Sequence, residues 1–178
     1  MSKRVLLAAC FMTAVCLAGA ARADEHQYVG VSKCKMCHMS EAKGNQYKHW
    51  ADSKHAKAYE TLASDDAKKT AQKAGLKTDP QKSPECVKCH VTAFGAADNL
   101  KSESFNIAGG VQCESCHGAG SDYKGMTVMK DKQKAIEAGL VIPTKEVCVK
   151  CHNSESPYYK EFNFDEYYKK IAHPLPKS

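Results

Sequence analysis

Arginine is close to absent from this 178-residue chain: Arg4 and Arg22 are the two present, and both fall within the first 23 residues. Proteins that clamp phosphates favour the planar guanidinium fork, so lysine alone argues against nucleic-acid binding despite a formal net charge of +6. Beyond residue 23 no stretch is apolar enough to cross a bilayer, which leaves no integral membrane segment there. Phenylalanine, leucine, isoleucine and valine are too few for a separate hydrophobic core. Strand signals are scarce too. Phe105-Asn106-Ile107 offers at most one brief strand, so little or no sheet is expected. Loose cysteines are also missing: of ten, eight sit in one repeated motif, and Cys10 and Cys16 lie within the first 23 residues.

The motif is Cys-x-x-Cys-His, and it occurs four times: Cys34-Lys-Met-Cys37-His38, Cys86-Val-Lys-Cys89-His90, Cys113-Glu-Ser-Cys116-His117 and Cys148-Val-Lys-Cys151-His152. The pattern reads as covalent attachment of haem c, with two thiols reaching the two vinyl groups of one porphyrin. The following histidine is then placed under the iron as the proximal ligand. The rival is structural zinc, since eight cysteines suffice for two four-thiolate sites. Zinc does not require the histidine that follows every pair, and the first 23 residues point to export. Lys3 and Arg4 precede the apolar run Val5 to Gly19, and Ala21-Arg22-Ala23 has the form of a cleavage site, so residues 1–23 read as a signal peptide. An exported chain meets an oxidising compartment, where thioether bonds keep thiols from forming disulfides.

Cleavage after Ala23 leaves 155 residues, with 23 lysines against 20 acidic residues. Each ferric haem with two ionised propionates adds roughly −1, so the assembled protein is close to neutral rather than basic. The lysines then cover the outside, where they can pair with propionates or steer an acidic redox partner. With four macrocycles to surround, the haems themselves form the core, and the haem-free chain is expected to be largely unfolded. Local signals are helical. Ser40 predicts a helix through Glu41, Tyr47, Trp50, His55, Tyr59 and Leu62; Asp65 or Asp66 opens a second that stops at Gly75. Asp131 to Ala138, a turn after Pro143-Thr144, and a segment from Asp165 to before Pro174 complete the set. Residues 78–84 and 94–110 read as loops. First cysteines are 52, 27 and 35 residues apart, so there is no tandem repeat, and the shortest gap makes the second and third sites neighbours.

Beyond the proximal His38, His90, His117 and His152, four histidines remain: His26, His49, His55 and His173. The count permits two imidazoles on every iron, a ligation that gives low potentials and suits electron transfer over catalysis. His49 and His55 are six residues apart on one predicted helix, about 120° around it, so they face different sites or one of them faces solvent. Met126 and Met129 are possible sulfur ligands that read more simply as packing residues. Trp50, Tyr47, Tyr59 and the pairs Tyr158-Tyr159 and Tyr167-Tyr168 read as packing against porphyrin.

Three longer segments resemble the tetrahaem cytochrome c554 family: His49-Trp50-Ala51-Asp52-Ser53-Lys54-His55-Ala56-Lys57-Ala58, Glu85 to Gly95, and Gly110-Val111-Gln112-Cys113-Glu114-Ser115-Cys116-His117-Gly118-Ala119-Gly120. Phe162-Asn163-Phe164-Asp165-Glu166 before the last helix also fits. The resemblance implies a mostly helical fold, haems in stacked and perpendicular pairs, and electron transfer in the periplasm. It offers His55 as a distal ligand, to the third haem, and His173 as another. It also implies that the haem on Cys86 to His90 lacks a sixth ligand and can react with nitric oxide. The chain departs from the family pattern after Tyr123, where Met126 and Met129 replace a histidine, and before Cys148, where a histidine is again missing. It is also shorter in the linker between the third and fourth motifs and at the C-terminus. Hydroxylamine oxidation as a context does not carry over.

The expectation is thus a signal peptide over 1–23 and one mainly α tetrahaem domain over 24–178, with helices and long loops wrapped around four covalently attached, iron-containing haems. It passes electrons between other redox proteins or cytochromes in the periplasm or outside the cell. Two alternatives stand beside it. One is reduction of nitric oxide at an open site, that of His90. The other is a filament in which His26, near the new N-terminus, ligates a haem of a neighbouring subunit.

Overall fold

The longest helix in the computed structural model, which describes residues 26–175, has nine residues. The signal-peptide reading of 1–23 lies outside the described residues. Ten short α-helices follow in order: α1 Val31–His38, α2 Gln46–Ala51, α3 Ala58–Thr61, α4 Asp65–Lys73, α5 Pro84–His90, α6 Cys113–His117, α7 Met126–Met129, α8 Lys132–Glu137, α9 Lys145–Cys148 and α10 Phe164–Ile171. Turns of 3₁₀-helix cover Glu41–Lys43, Asp98–Leu100 and Ile107–Gly109. Among the described residues there is no strand. One bridge joins Tyr28 to Lys101, closed by Tyr28 N–H to Leu100 O at 2.8 Å and Ser102 N–H to Tyr28 O at 2.9 Å. Phe105-Asn106-Ile107, the brief strand candidate, leads instead into a 3₁₀ turn.

Helices this short are marginal alone, so contacts between them fix their positions. α1 packs on α2 and α6, α3 on α5, and α7 on α8. The polypeptide's own core is small: Leu62, Val87 and Val91, with Tyr59 and Cys86 against them. Large apolar side chains such as Met36, Tyr158 and Leu175 stay exposed. Among the described residues no helix is long and apolar enough to cross a membrane.

The single helix expected from Glu41 to Leu62 is broken twice. Gly44 and Asn45 take left-handed conformations, φ 93° and 46°. A Cβ on Gly44 would meet the Pro174 carbonyl oxygen at 2.7 Å, so the break makes room for the C-terminal segment. Farther along, Ser53 turns both its N–H (2.9 Å) and its hydroxyl (2.7 Å) onto the Trp50 carbonyl, and α2 stops. His49 therefore lies on α2 and His55 in the turn after it, not on one helix. Elsewhere the local chemistry is as the sequence has it. Ser64 caps α4 one residue before the expected aspartates, and its hydroxyl accepts from Ala67 N–H. Asp131 caps α8 by accepting from Gln133 and Lys134 N–H, and Gly139 follows with φ 97°.

Candidate haem sites

Each motif sets its histidine at or just past the end of a short helix. Three of the four rings are held by an oxygen on Nδ1. His38 Nδ1 donates to Gln46 Oε1 at 3.1 Å, His90 Nδ1 to Ala58 O at 2.7 Å, and His117 Nδ1 to Val141 O at 3.1 Å. Gln46 is oriented by its own amide N–H groups, which donate to Lys43 O and to Pro174 O. An oxygen acceptor on Nδ1 fixes the proton there and leaves the Nε2 lone pair free for a metal. His152 differs. α9 ends at Cys148, so Cys151 and His152 sit in the following turn. Among the described residues no acceptor reaches His152 Nδ1. Its ring stacks instead on Phe162, centroids 4.9 Å apart and planes 16° apart.

Two of the remaining histidines lie beside motif histidines, one pair of rings tilted by 43° and the other edge-on at 75°. His173 stands opposite His117 with ring centroids 5.9 Å apart, and His55 opposite His152 at 6.0 Å. A metal–imidazole bond is about 2 Å, and the ring centre lies about 1 Å farther out, so one iron between two imidazoles sets the centres about 6 Å apart. By that separation each pair could hold one iron between its two imidazoles. Burial, above all, lowers the pKa of His55, His117 and His173, and so favours the neutral imidazole that can ligate. His173 Nδ1 is buried without a hydrogen-bond partner. The resemblance offered His55 to the third site; in the structure its ring lies beside His152 of the fourth motif, while its backbone oxygen accepts from Val111 N–H just before α6.

His49 and His26 make no such ring pair among the described residues. His49 is exposed in a cleft beside Glu41, Lys48, Asp52 and Pro174. His26 Nδ1 binds Asp122 Oδ2 at 2.5 Å, and its ring lies against Gly139. The stretch expected to be a loose end is thereby docked on its own chain.

All eight motif cysteines are half-buried. Their thiols approach one another between motifs. Cys34 is raised in pKa first by its hydrogen bond to Cys113 and then by burial. Cys151 is pushed up to about 12, by burial and then by Cys89. Cys116 is raised by burial and then by Cys148. Geometry agrees for two of these neighbours: α1 packs on α6, and Lys88 of the second motif pairs with Glu155 just past the fourth. The second and third meet through hydroxyls, Thr92 Oγ1 to Ser115 Oγ at 2.6 Å, so their short linker joins the backs of α5 and α6 rather than their thiols. The zinc alternative needs several ligands converging on one ion. Among the described residues no three histidine, cysteine or acidic side chains do so.

Sequence reasoning missed the residues that hold these sites together. Glu114, between the cysteines of the third motif, is 2% exposed. Its carboxylate accepts from the N–H groups of Val29, Gly30 and Gly120, each at 2.8 Å. Gln112 accepts from Val31 N–H at 2.8 Å and donates to Asn106 O at 2.9 Å. Together they tie the start of α1 to α6. Glu114→Ala, which strands three buried donors, is expected to cost about 4 kcal/mol in guanidinium unfolding of the holoprotein. A loss under about 1 kcal/mol would show that the clamp is idle. The other join links two segments quoted above. Trp50 Nε1 donates to Val111 O at 2.8 Å, and Val111 N–H donates to His55 O at 3.0 Å. A Cβ on Gly110 would meet that His55 oxygen at 2.8 Å, and Gly110 has φ 65°, so glycine is required for the approach.

The family described as cytochrome c554 and c-prime matches residues 33–118, which hold the first three motifs. Cytochrome c-554 of Nitrosomonas europaea is 33% identical over 170 residues, 90% of this chain and 66% of that protein. This chain thus spans just under two thirds of that relative's length. The solved structure of the reduced state of cytochrome c554 from Nitrosomonas europaea aligns with a TM-score of 0.60 at 29% identity, over 83% of this chain and 85% of the other.

Proposed function

We propose, since the chain belongs to the cytochrome c554 family, that it carries electrons between redox partners through four covalently held haems c. The observation that carries the reading is the pairing of imidazoles, His117 with His173 and His152 with His55, at the separation one iron spans. Bound haem supplies a one-electron Fe(III)/Fe(II) couple. The chain's own part is attachment, ligation and spacing. Cys34 and Cys37, Cys86 and Cys89, Cys113 and Cys116, and Cys148 and Cys151 each hold one macrocycle. His38, His90, His117 and His152 ligate from the proximal side. His173 serves the third site from the distal side, and His55 the fourth. His49 and His26 are the unassigned histidines. Close approach between motifs keeps successive sites near enough for electrons to pass along the chain.

Residues 1–23 send the chain to the periplasm or beyond the cell, where its partners are other redox proteins. His26 engages Asp122 and Gly139 of its own chain, which speaks against a filament built on that histidine. A pyridine haemochrome assay of the exported protein should give four haems per chain, and reductive titration four electrons. A colourless mature sample with the mass of bare polypeptide would overturn the reading.

A second reading concerns His90, the site the family resemblance leaves open; like His38 it has no ring pair among the described residues, and its Nδ1 donates to Ala58 O. A site open on that side can bind nitric oxide, and reduction of a small nitrogen oxide there is the finer activity. It requires a high-spin ferric fraction that nitric oxide converts; a wholly low-spin spectrum excludes it.

A further inference from the structure

The fourth motif is the odd one. His38, His90 and His117 are each held by an oxygen on Nδ1, whereas His152 is held by a ring on its face. That ring is itself fixed with care. Phe162 immediately precedes Asn163, the cap of α10, whose side chain accepts from Glu166 N–H at 3.2 Å. Tyr167, on the next turn, stacks on Phe162 with centroids 5.3 Å apart. This is a hydrophobic staple, the residue before the cap packed on the fourth residue of the helix, and it sets the angle at which the chain enters the helix. Lys170 lies over the outer face of Tyr167, 4.8 Å from its centre, and pairs with Glu166 at 2.6 Å. The stack thus runs from the helix surface through Tyr167 and Phe162 to the imidazole of His152.

The two ways of holding a ligating imidazole differ electronically. An acceptor on Nδ1–H draws the proton outward and makes the ring a stronger donor, which favours Fe(III) and lowers the reduction potential. A stacked hydrocarbon ring fixes the orientation without that effect. We propose that Phe162 is a positioning residue for the fourth site: it orients His152 through the ring face, where the other three motif imidazoles are oriented by a protein oxygen on Nδ1, and so leaves this site easier to reduce than it would be with such an acceptor. The inference rests on the ligation proposed above. In use, the fourth site takes one electron from a neighbouring ferrous site of the same chain, which becomes ferric.

The test is a spectropotentiometric titration of the holoprotein with electron paramagnetic resonance of the ferric state. Phe162→Gln replaces the ring over the His152 face with a polar amide and opens Nδ1 to a hydrogen bond with that amide or with water, which should lower one of the four midpoints by about 59 mV, a tenfold shift for one electron, and leave the other three in place. Phe162→Leu keeps an apolar cover without the ring and should broaden or shift a single low-spin signal. Phe162→Tyr restores the ring and should match the parent protein. Gln46→Leu makes the reverse change at His38 and should raise one midpoint. Should Phe162→Gln assemble with fewer than four haems, the signal of Phe162→Leu and the midpoint of Gln46→Leu decide the matter alone. Four unmoved midpoints in Phe162→Gln and Gln46→Leu, or a Phe162→Tyr signal displaced as far as that of Phe162→Leu, would overturn the proposal. A parent protein without haem absorbance would instead remove the ligation on which it rests.

Discussion

A chain in which all eight motif cysteines are serine is expected to be unfolded. Its α-helices run from four to nine residues, well short of the 12–15 or so at which an isolated helix begins to hold in water. Its own apolar core is Leu62, Val87 and Val91. Val29, Ala71, Tyr123 and Ala135 are also buried among the described residues, apart from that cluster, and together this is too little burial to offset the entropy of ordering the backbone. The hydrogen-bonded clamps at Glu114 and Val111 position segments but do not supply the missing burial. The haem-free chain should give a coil-like far-ultraviolet circular dichroism spectrum, no cooperative thermal transition and rapid proteolysis throughout. A sharp melting transition in that variant would mean that the polypeptide has a core of its own.

Removing a distal imidazole should act on one site and spare the rest. His173→Ala takes away the ring opposite His117, and His55→Ala the ring opposite His152. Each variant should retain four haems, convert about one quarter of the ferric iron from low to high spin, and bind carbon monoxide at one new ferrous site. Losing one imidazole donor should also raise one midpoint potential. His49→Ala serves as a comparison at an exposed residue outside both pairs. If His173→Ala and His55→Ala keep the parent spectrum, the two pairs are not ligand pairs, and the distal groups lie elsewhere.

Chemistry written into short stretches was legible. The four motifs, the cap at Asp131 and the left-handed glycines after α4 and α8 all follow from neighbours within a few residues, whereas the last helix, read as opening at Asp165, is capped by Asn163. What was not legible depends on residues far apart. The break at Gly44 is required by Pro174, 130 positions away. His55 and His152, or His117 and His173, carry no mark in sequence that says which meets which. The reading that put His49 and His55 on one helix failed because a serine hydroxyl ended α2, a choice helix periodicity does not register. Glu114 looked like a spacer between two cysteines. Only the fold shows its three amide partners, two of them more than eighty residues upstream. The family resemblance quoted the right residues there without giving their purpose.

Gln46 reaches Pro174, and Gly44 leaves space for it, so the earliest motif is finished by almost the last residues of the chain. Glu114 likewise receives amides from a segment threaded out long before it. Partners this far apart in sequence meet only when most of the chain is present, so the seating of the first and third sites comes late in folding. A thioether bond keeps each macrocycle on its motif through that interval, which a histidine alone would not.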